Sequence, residues 1–297
     1  MRETALSDSI ETWAQRLHAA RAFVIDMDGT IALGDSASGG HRALPGAIEL
    51  LALLRRRGTP FRIFTNGTAK TPAAYSQSLR RAGFDLRDEE VMTPATSAAH
   101  WLCKRGVKKV RTLGLGGVQQ PLIEAGIEVV QPAQAAAGVE AVFTGWFREF
   151  TFPDLEAACR DIWAGAALTT ASNVAFFATA GGKSIGASYA INAMIRSLTG
   201  RRAVVLGKPS AAAFHLAVAS MGLPRAAASE VVVLGDDPAL EMRMAHSVGA
   251  MSVGMTSGIM KRDCVERLPI RERPDLLLDD LSTLIRILES ERRANVS

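Results

Sequence analysis

Two aspartates that stand two residues apart follow directly on an apolar run near the beginning of the chain. The stretch reads AFVIDMDGTIALG over residues 22–34, and the acids are Asp26 and Asp28. Two like charges repel each other, and burying either carboxylate without a partner is costly. A cation is the simplest compensation, so the pair predicts a metal site at the end of a buried strand.

Three further polar motifs also follow strand-like apolar runs. TNG, residues 65–67, follows FRIF; GKPS, which contains Lys208, follows AVVL; and GDD, which contains Asp236 and Asp237, follows VVVL. Open parallel sheets bind their ligands at the carboxyl ends of the strands. We therefore expect the four motifs to lie together at one edge of a sheet.

The acids of these motifs suit a magnesium ion. Mg²⁺ usually takes one or two carboxylates, and water and substrate phosphate fill the rest of its coordination shell. The predicted metal ligands are Asp26, Asp28 and either Asp236 or Asp237.

The other polar groups suit the oxygens of a phosphate dianion, because a compact ammonium and oriented N–H dipoles attract it. The predicted phosphate-binding groups are the Thr65 hydroxyl, the Asn66 side chain, neighbouring backbone N–H groups such as that of Gly67, and the Lys208 ammonium.

Apolar runs alternate with amphipathic helical patterns over most of the sequence. AFVIDMD is followed by PGAIELLALLRRRG, and PFRIFTNG by TPAAYSQSLRRAGF. This order predicts an α/β fold with a Rossmann-like, doubly wound parallel sheet, whose uninterrupted apolar strands are covered on both faces. A region with strands and helices of its own separates TNG from GKPS. We therefore predict an inserted α/β domain at 94–203 between two core segments, 1–93 and 204–297.

The composition excludes several classes of protein. Lys and Arg exceed Asp and Glu by 34 to 30 among 297 residues, which suits a small anionic substrate. Basic clusters such as RRR at 55–57 lack interleaved aromatic residues, so we expect no nucleic-acid partner. We expect no membrane span, because no uncharged apolar stretch reaches about 20 residues. The beginning of the chain does not resemble a secretory signal, and the three cysteines are scattered, so a cytoplasmic protein is predicted.

The order of the motifs, DxDGT, T-N, a lysine and GDD, resembles the haloacid dehalogenase superfamily of phosphatases. The stretches PGAIELLALLRRRG, FTNGTAKTPAAYSQSLRRAGF and GWFREFTF are similar to its NagD-like, p-nitrophenyl phosphatase-like branch, subfamily IIA. The resemblance covers nearly the whole chain after about residue 20. It implies that the inserted region is a C2-type cap domain, which closes over the active site and shapes the choice of substrate.

The resemblance also implies a role for each motif residue. Asp26 would be the nucleophile that forms an aspartyl-phosphate, and Asp28 would be the general acid and base. The backbone carbonyl of Asp28, with the Asp26 and Asp236 carboxylates, would bind Mg²⁺. Thr65 and Asn66 would orient the phosphoryl group, and the catalytic Lys208 would offset the charge of the nucleophile and the phosphate. Dehalogenases lack an acid at the position of Asp28, so its presence favours phosphate ester hydrolysis.

The sequence departs from the branch at several positions. Glu241 stands where an aspartate is usual in the fourth motif, Phe147 stands where an aspartate is frequent, and Asn173 is followed by Ala175 rather than by an aspartate. The residues that we expect to face the leaving group from the cap are Asn173, Thr179 and Lys183.

These features predict a Mg²⁺-dependent phosphatase that acts on a small phosphorylated metabolite. A phosphotransferase that uses the same aspartyl-phosphate, or a catalytically weak phosphometabolite-binding protein, is the alternative. Cap domains of this branch often contribute to dimers, so the resemblance also implies a homodimer.

Overall fold

The computed structural model describes residues 13–35, 40–179 and 182–294. The chain divides into two compact units. The first unit contains Met1–Thr65, Ser76–Val91 and Ala217–Ser297, and the second unit contains Asn66–Tyr75 and Met92–Leu216. This division assigns Asn66 and Lys208 to the second unit, whereas the sequence assigned them to the core, and the boundaries predicted for the inserted domain stay a prediction.

The strands, in chain order, are β1 (Ala22–Ile25), β2 (Ala32–Asp35), β3 (Gly40–Ala43), β4 (Phe61–Phe64), β5 (Val91–Met92), β6 (Lys109–Leu113), β7 (Glu128–Val130), β8 (Ala141–Thr144), β9 (Ala167–Thr170), β10 (Phe176–Thr179), β11 (Gly182–Ile185), β12 (Val204–Val205), β13 (Val231–Gly235), β14 (Met251–Met255) and β15 (Leu276–Leu278). The α-helices are Ala47–Arg56, Pro72–Arg81, Pro94–Cys103, Gly116–Glu124, Phe152–Trp163, Ala187–Thr199, Ala211–Ser220, Arg243–Val248 and Leu281–Ala294. Residues 13–18 are also helical.

The sheet of the first unit has the order β15-β14-β13-β1-β4-β5. Strands β1, β4, β13, β14 and β15 pair in parallel. All residues of β1, β4 and β13 are buried, as expected for strands that are covered on both faces. After β1 the chain builds β4 and β5 on one side and later returns to build β13 on the other side. The strand order therefore reverses between β1 and β13, which confirms the Rossmann-like core and marks the point where such sheets bind ligands.

The second unit has a five-stranded parallel sheet of its own, with the order β12-β9-β8-β6-β7, and an antiparallel pair, β10 and β11. Successive residues of β8 point to opposite faces. Phe143 packs in a cluster with residues of Pro94–Cys103 and Gly116–Glu124, and Val142 packs in a cluster with residues of Phe152–Trp163 and Ala187–Thr199. Helices thus cover both faces of this sheet, which confirms the second α/β unit.

One strand prediction was wrong. We expected the run before GKPS to join the same sheet as the other three motifs, but β12 pairs in parallel with β9 in the sheet of the second unit. The following Leu206 is buried in an apolar cluster of that unit. The run is apolar enough for either sheet, and its hydrophobic pattern does not specify the partner strand.

The thiols of Cys103, Cys159 and Cys264 are free. In the described part of the chain, no helix combines the length and the apolar character needed to cross a membrane. The cytoplasmic location stays a prediction.

Candidate active site

Asp26 stands immediately after β1 and continues the pairing of that strand. Its N–H donates to the carbonyl of Leu234 in β13 at 2.8 Å. The side chain is 7 % exposed, and the hydroxyl of Thr30 donates to Asp26 Oδ2 at 2.9 Å. The position of this carboxylate is therefore set by the sheet on its main chain and by a threonine on its side chain.

A tight turn follows Asp26 and presents Asp28 to solvent. The N–H groups of Ile31 and Ala32 both donate to the carbonyl of Met27, at 3.1 and 3.0 Å. Gly29 has a φ of +85°, which side-chain-bearing residues rarely adopt. Asp28 is exposed, and the Thr65 hydroxyl, at the end of β4, lies 3.5 Å from Asp28 Oδ2. The turn thus brings the second acid of DMDGT close to the threonine of TNG.

Asp236, directly after β13, is pressed between two glycines. A Cβ at Gly29 would lie 2.5 Å from Asp236 Oδ2, and a Cβ at Gly258 would lie 1.8 Å from the same oxygen. The N–H of Ile259 donates to this oxygen at 2.8 Å, and the Ser257 hydroxyl donates to the Gly29 carbonyl at 2.7 Å. We call Gly29, Gly258 and Ile259 the glycine cradle. It holds the Asp236 carboxylate, which is 4 % exposed, against the DMDGT turn.

Glu241 supports the loop that begins at Asp236. Residues Pro238–Met242 form one turn of π-helix, and the Asp237 side chain accepts from the N–H of Ala239 at 2.8 Å. Glu241 is buried, and its Oε2 accepts from the N–H of Asp237 at 3.0 Å. The Glu241 side chain therefore reaches back to the backbone beside Asp236.

The donor groups of this site fit a hard divalent cation. They are carboxylate oxygens of Asp26 and Asp236 and the Asp28 carbonyl, which match the oxygen preference of Mg²⁺. The glycine cradle puts the Asp236 carboxylate next to the turn that carries the other two groups. Over residues 13–35, 40–179 and 182–294, no three His, Cys, Asp or Glu side chains are grouped so that they could hold a metal ion. A metal site that is built from two carboxylates and one backbone carbonyl does not need three such side chains.

Within the second unit, the Asn66 side chain binds both the N–H and the carbonyl of Lys208. Asn66 Oδ1 accepts from the N–H of Lys208 at 2.8 Å, and Asn66 Nδ2 donates to its carbonyl at 3.0 Å. Lys208 is 2 % exposed, so its ammonium is buried. Gly67 is half-buried. The T-N motif and the lysine motif are thus linked through a side-chain amide.

The predicted cap residues differ in what the structure says of them. Asn173 is exposed between β9 and β10. The side chains of Thr179 and Lys183 lie outside the described residues, although both residues belong to the β10–β11 pair. Phe147 is buried and meets Phe150 edge to face, with ring centroids 6.1 Å apart. Phe147 therefore makes an aromatic core contact.

Sequence reasoning missed Thr30 and the segment of residues 257–260. Thr30 was visible as the last residue of DMDGT, but no role was assigned to it. The segment follows the apolar run MSVGM, which forms β14 beside β13. The same rule of a polar segment after a buried strand would have found it.

Comparisons with known proteins agree with the motifs. A family model of haloacid dehalogenase-like hydrolases matches residues 23–128, and one of HAD-hydrolase-like proteins matches residues 205–284. Together the two matches cover more than half of the chain. An acid sugar phosphatase of Staphylococcus aureus is 26 % identical over 271 residues, which are 91 % of this chain and 98 % of the relative.

Solved structures show the same fold. A 4-nitrophenylphosphatase of Thermotoga maritima superposes with a TM-score of 0.81 at 24 % identity, over 92 % of this chain and 99 % of its own. A glycerol phosphate phosphatase of Mycobacterium tuberculosis, in complex with magnesium, gives 0.78 at 25 % identity, over 91 % and 77 % of the two chains. With the motifs, the fold and these matches in agreement, the chain belongs to the haloacid dehalogenase-like hydrolases.

Proposed function

We propose that the protein hydrolyses a small phosphorylated metabolite in a Mg²⁺-dependent reaction through an aspartyl-phosphate on Asp26. The observation that carries the proposal is the glycine cradle, which holds the buried Asp236 carboxylate against the DMDGT turn. Two buried acids at the point where the strand order reverses are costly for the fold unless a ligand uses them.

In the first half of the reaction, a carboxylate oxygen of Asp26 attacks phosphorus. The new bond joins this oxygen to phosphorus, the ester P–O bond breaks, and Asp28 donates its proton to the leaving alkoxide. In the second half, Asp28 takes a proton from water, the water oxygen attacks phosphorus, and the bond to Asp26 breaks. Inorganic phosphate leaves, and both carboxyl groups return to their starting states.

The other residues orient these groups. The hydrogen bond from Thr30 to Asp26 Oδ2 fixes the plane of the attacking carboxylate. Thr65, with its hydroxyl 3.5 Å from Asp28 Oδ2, and the loop of Asn66 and Gly67 receive the phosphoryl oxygens. Lys208 offsets negative charge on the nucleophile and the phosphate.

The Asp26 and Asp236 carboxylates and the Asp28 carbonyl would hold the Mg²⁺. When bound, Mg²⁺ supplies positive charge that lets an anionic carboxylate approach an anionic ester. The magnesium complex of the glycerol phosphate phosphatase supports this choice of metal.

Relatives support a small phosphate ester as the substrate, since the similar proteins include an acid sugar phosphatase and a glycerol phosphate phosphatase. We propose that the inserted region, 94–203, acts as the cap that selects the leaving group, through residues near Asn173, Thr179 and Lys183. A homodimer remains an expectation from the family.

Phosphate release from a panel of sugar, nucleotide, glycolate, glycerol and pyridoxal phosphates, with and without excess EDTA, tests the proposal. We expect metal-dependent release from one or two compounds, and none above background from Asp26→Asn, because an amide is a far weaker nucleophile. Asp263→Asn, the same change at an exposed site of the first unit, is the control and should behave as the wild type. Wild-type rates in Asp26→Asn would exclude the aspartyl-phosphate. Release that requires an added alcohol acceptor would instead identify a phosphotransferase.

A further inference from the structure

The side chain of Asn66 makes two hydrogen bonds to one residue, and both go to backbone atoms of Lys208. The N–H of Lys208 requires an acceptor and its carbonyl requires a donor. Asn66 supplies both, at 2.8 and 3.0 Å. The amide therefore pairs with Lys208 as a neighbouring strand would. The N–H of Lys208 must face the amide oxygen and its carbonyl must face the amide nitrogen, which determines the orientation of the Asn66 amide.

The surroundings leave room for this pairing only because residue 207 is glycine. A Cβ at Gly207 would lie 2.6 Å from Asn66 Oδ1 and 2.2 Å from the carbonyl oxygen of Ala171. Approaches below 3.0 Å are essentially never seen for real Cβ atoms. The loop before Lys208 is thus packed tightly against the amide that binds it.

Lys208 needs such support because β12 is short. The strand has only two residues, Val204 and Val205, and it ends three residues before the lysine. The hydrogen bonds to the Lys208 N–H and carbonyl described above come from the Asn66 side chain and not from a neighbouring strand. A buried lysine whose ammonium must meet an anion gains its precision from a fixed main chain.

We propose that Asn66 is a positioning residue, which places the Lys208 ammonium by fixing the backbone of that lysine, and that its side chain does not bind the phosphoryl group. This inference rests on the proposed function, in which Lys208 offsets the charge of the phosphate. It replaces the role expected for the Asn66 side chain from the sequence.

A double-mutant cycle tests the inference. The variants are Asn66→Leu, Lys208→Met and the double variant. Asn66→Leu keeps the branching at Cγ and removes both hydrogen bonds. All are assayed with p-nitrophenyl phosphate at saturating Mg²⁺. We expect Asn66→Leu to lower kcat/KM about 100-fold, the usual scale for a misplaced catalytic group. In the Lys208→Met background the same change should cost less than about threefold, because residues that act through one another are not additive.

Two further variants sharpen the result. Asn66→Asp keeps the acceptor for the Lys208 N–H but puts an acceptor oxygen where the amide nitrogen lies 3.0 Å from the Lys208 carbonyl, so it should also lower kcat/KM. Gln120→Leu removes an exposed amide of the second unit that donates to the Glu124 side chain, and it should match the wild type. If the losses of the two single variants multiply in the double variant, Asn66 contacts the substrate independently and the inference is wrong.

Amide hydrogen exchange measures the pairing without activity. In protein labelled with ¹⁵N-lysine, the Lys208 N–H should exchange slowly in the wild type and at least about tenfold faster in folded Asn66→Leu, since the loss of one hydrogen bond is worth roughly that factor. Unchanged exchange would overturn the positioning and leave the proposed function standing. Wild-type turnover by Lys208→Met, with exchange accelerated by Asn66→Leu, would instead overturn the use of Lys208 in the proposed function.

Discussion

Replacing Gly258 with alanine perturbs the glycine cradle by one methyl group and changes no charge. The added Cβ would lie 1.8 Å from Asp236 Oδ2 and 2.6 Å from its Cγ, whereas real Cβ atoms essentially never come closer than 3.0 Å. The carboxylate or the loop must therefore move by about 1.2 Å or more. Gly258 does not have a positive φ, so the contact alone causes the displacement.

This displacement sets the expected size of the effect. Misplacing a catalytic group by about 1 Å costs roughly 100-fold in rate, which is about 2.7 kcal/mol of transition-state stabilisation. We expect kcat/KM for p-nitrophenyl phosphate to fall about 100-fold in Gly258→Ala. The Mg²⁺ concentration at half-maximal activity should rise by at least about tenfold, since Asp236 is a proposed ligand. Overpacking should also lower the free energy of unfolding, by about 1–3 kcal/mol.

The assay needs a readout of metal binding that does not depend on turnover. Titration with Mn²⁺, followed by electron paramagnetic resonance, supplies it for the wild type and Gly258→Ala. Gly116→Ala is the matched control, because a Cβ there meets nothing within 4 Å, and it should leave both readouts unchanged. If folded Gly258→Ala keeps the wild-type kcat/KM and the wild-type affinity for Mn²⁺, the reasoning about the cradle is refuted.

Two predictions concern the stability of the first unit. Burial raises the pKa of Glu90, but hydrogen bonds from Arg55 and Arg87 outweigh it and hold the pKa below its ordinary value of 4.5. The stability from the Glu90 charge is therefore complete above pH 4.5 and is lost as the pH falls through the lower folded-state pKa. Glu90→Gln should lower the free energy of unfolding, measured with urea at pH 7, by about 1–3 kcal/mol. If the difference between the wild type and Glu90→Gln does not become smaller at low pH, this prediction is wrong. Glu241→Asp keeps the charge but should lower the Tm, because the shorter side chain does not reach the Asp237 N–H. An unchanged Tm would show that this bond contributes nothing.

The acids of the candidate site were predictable because each ends a strongly apolar run. Asp26 follows β1 and Asp236 follows β13, and both strands are buried throughout. Buried parallel strands have a clear apolar signal, and their polar ends stand out against it. The sequence therefore indicated which residues end the strands of the core, together with the chemistry that they support.

The neighbours of each strand were less predictable. Val204–Val205 has the same apolar character as the core strands, yet it pairs with β9 of the second unit. An apolar pattern predicts that a strand is buried, but it does not predict the neighbour of that strand in the sheet. Pairing depends on contacts between distant parts of the chain. The chain also divides between Thr65 and Asn66. The sequence did not predict this division, because the two residues are adjacent in one short motif and the division depends on contacts between distant parts of the chain.

The sequence predicts only one of the two roles that glycines have near this site. A glycine after a strand predicts a turn, but Gly258 and Gly235 also supply space. A Cβ at Gly258 would overlap the carboxylate of Asp236, and a Cβ at Gly235 would lie 2.2 Å from Cγ of Glu241. Each of these acids can be buried because the glycine has no side chain and lets the carboxylate approach the backbone. The N–H of Ile259 donates to Asp236, and the N–H of Asp237 donates to Glu241. The acid and its glycine therefore form one structural unit, and a change at either residue should move the same carboxylate.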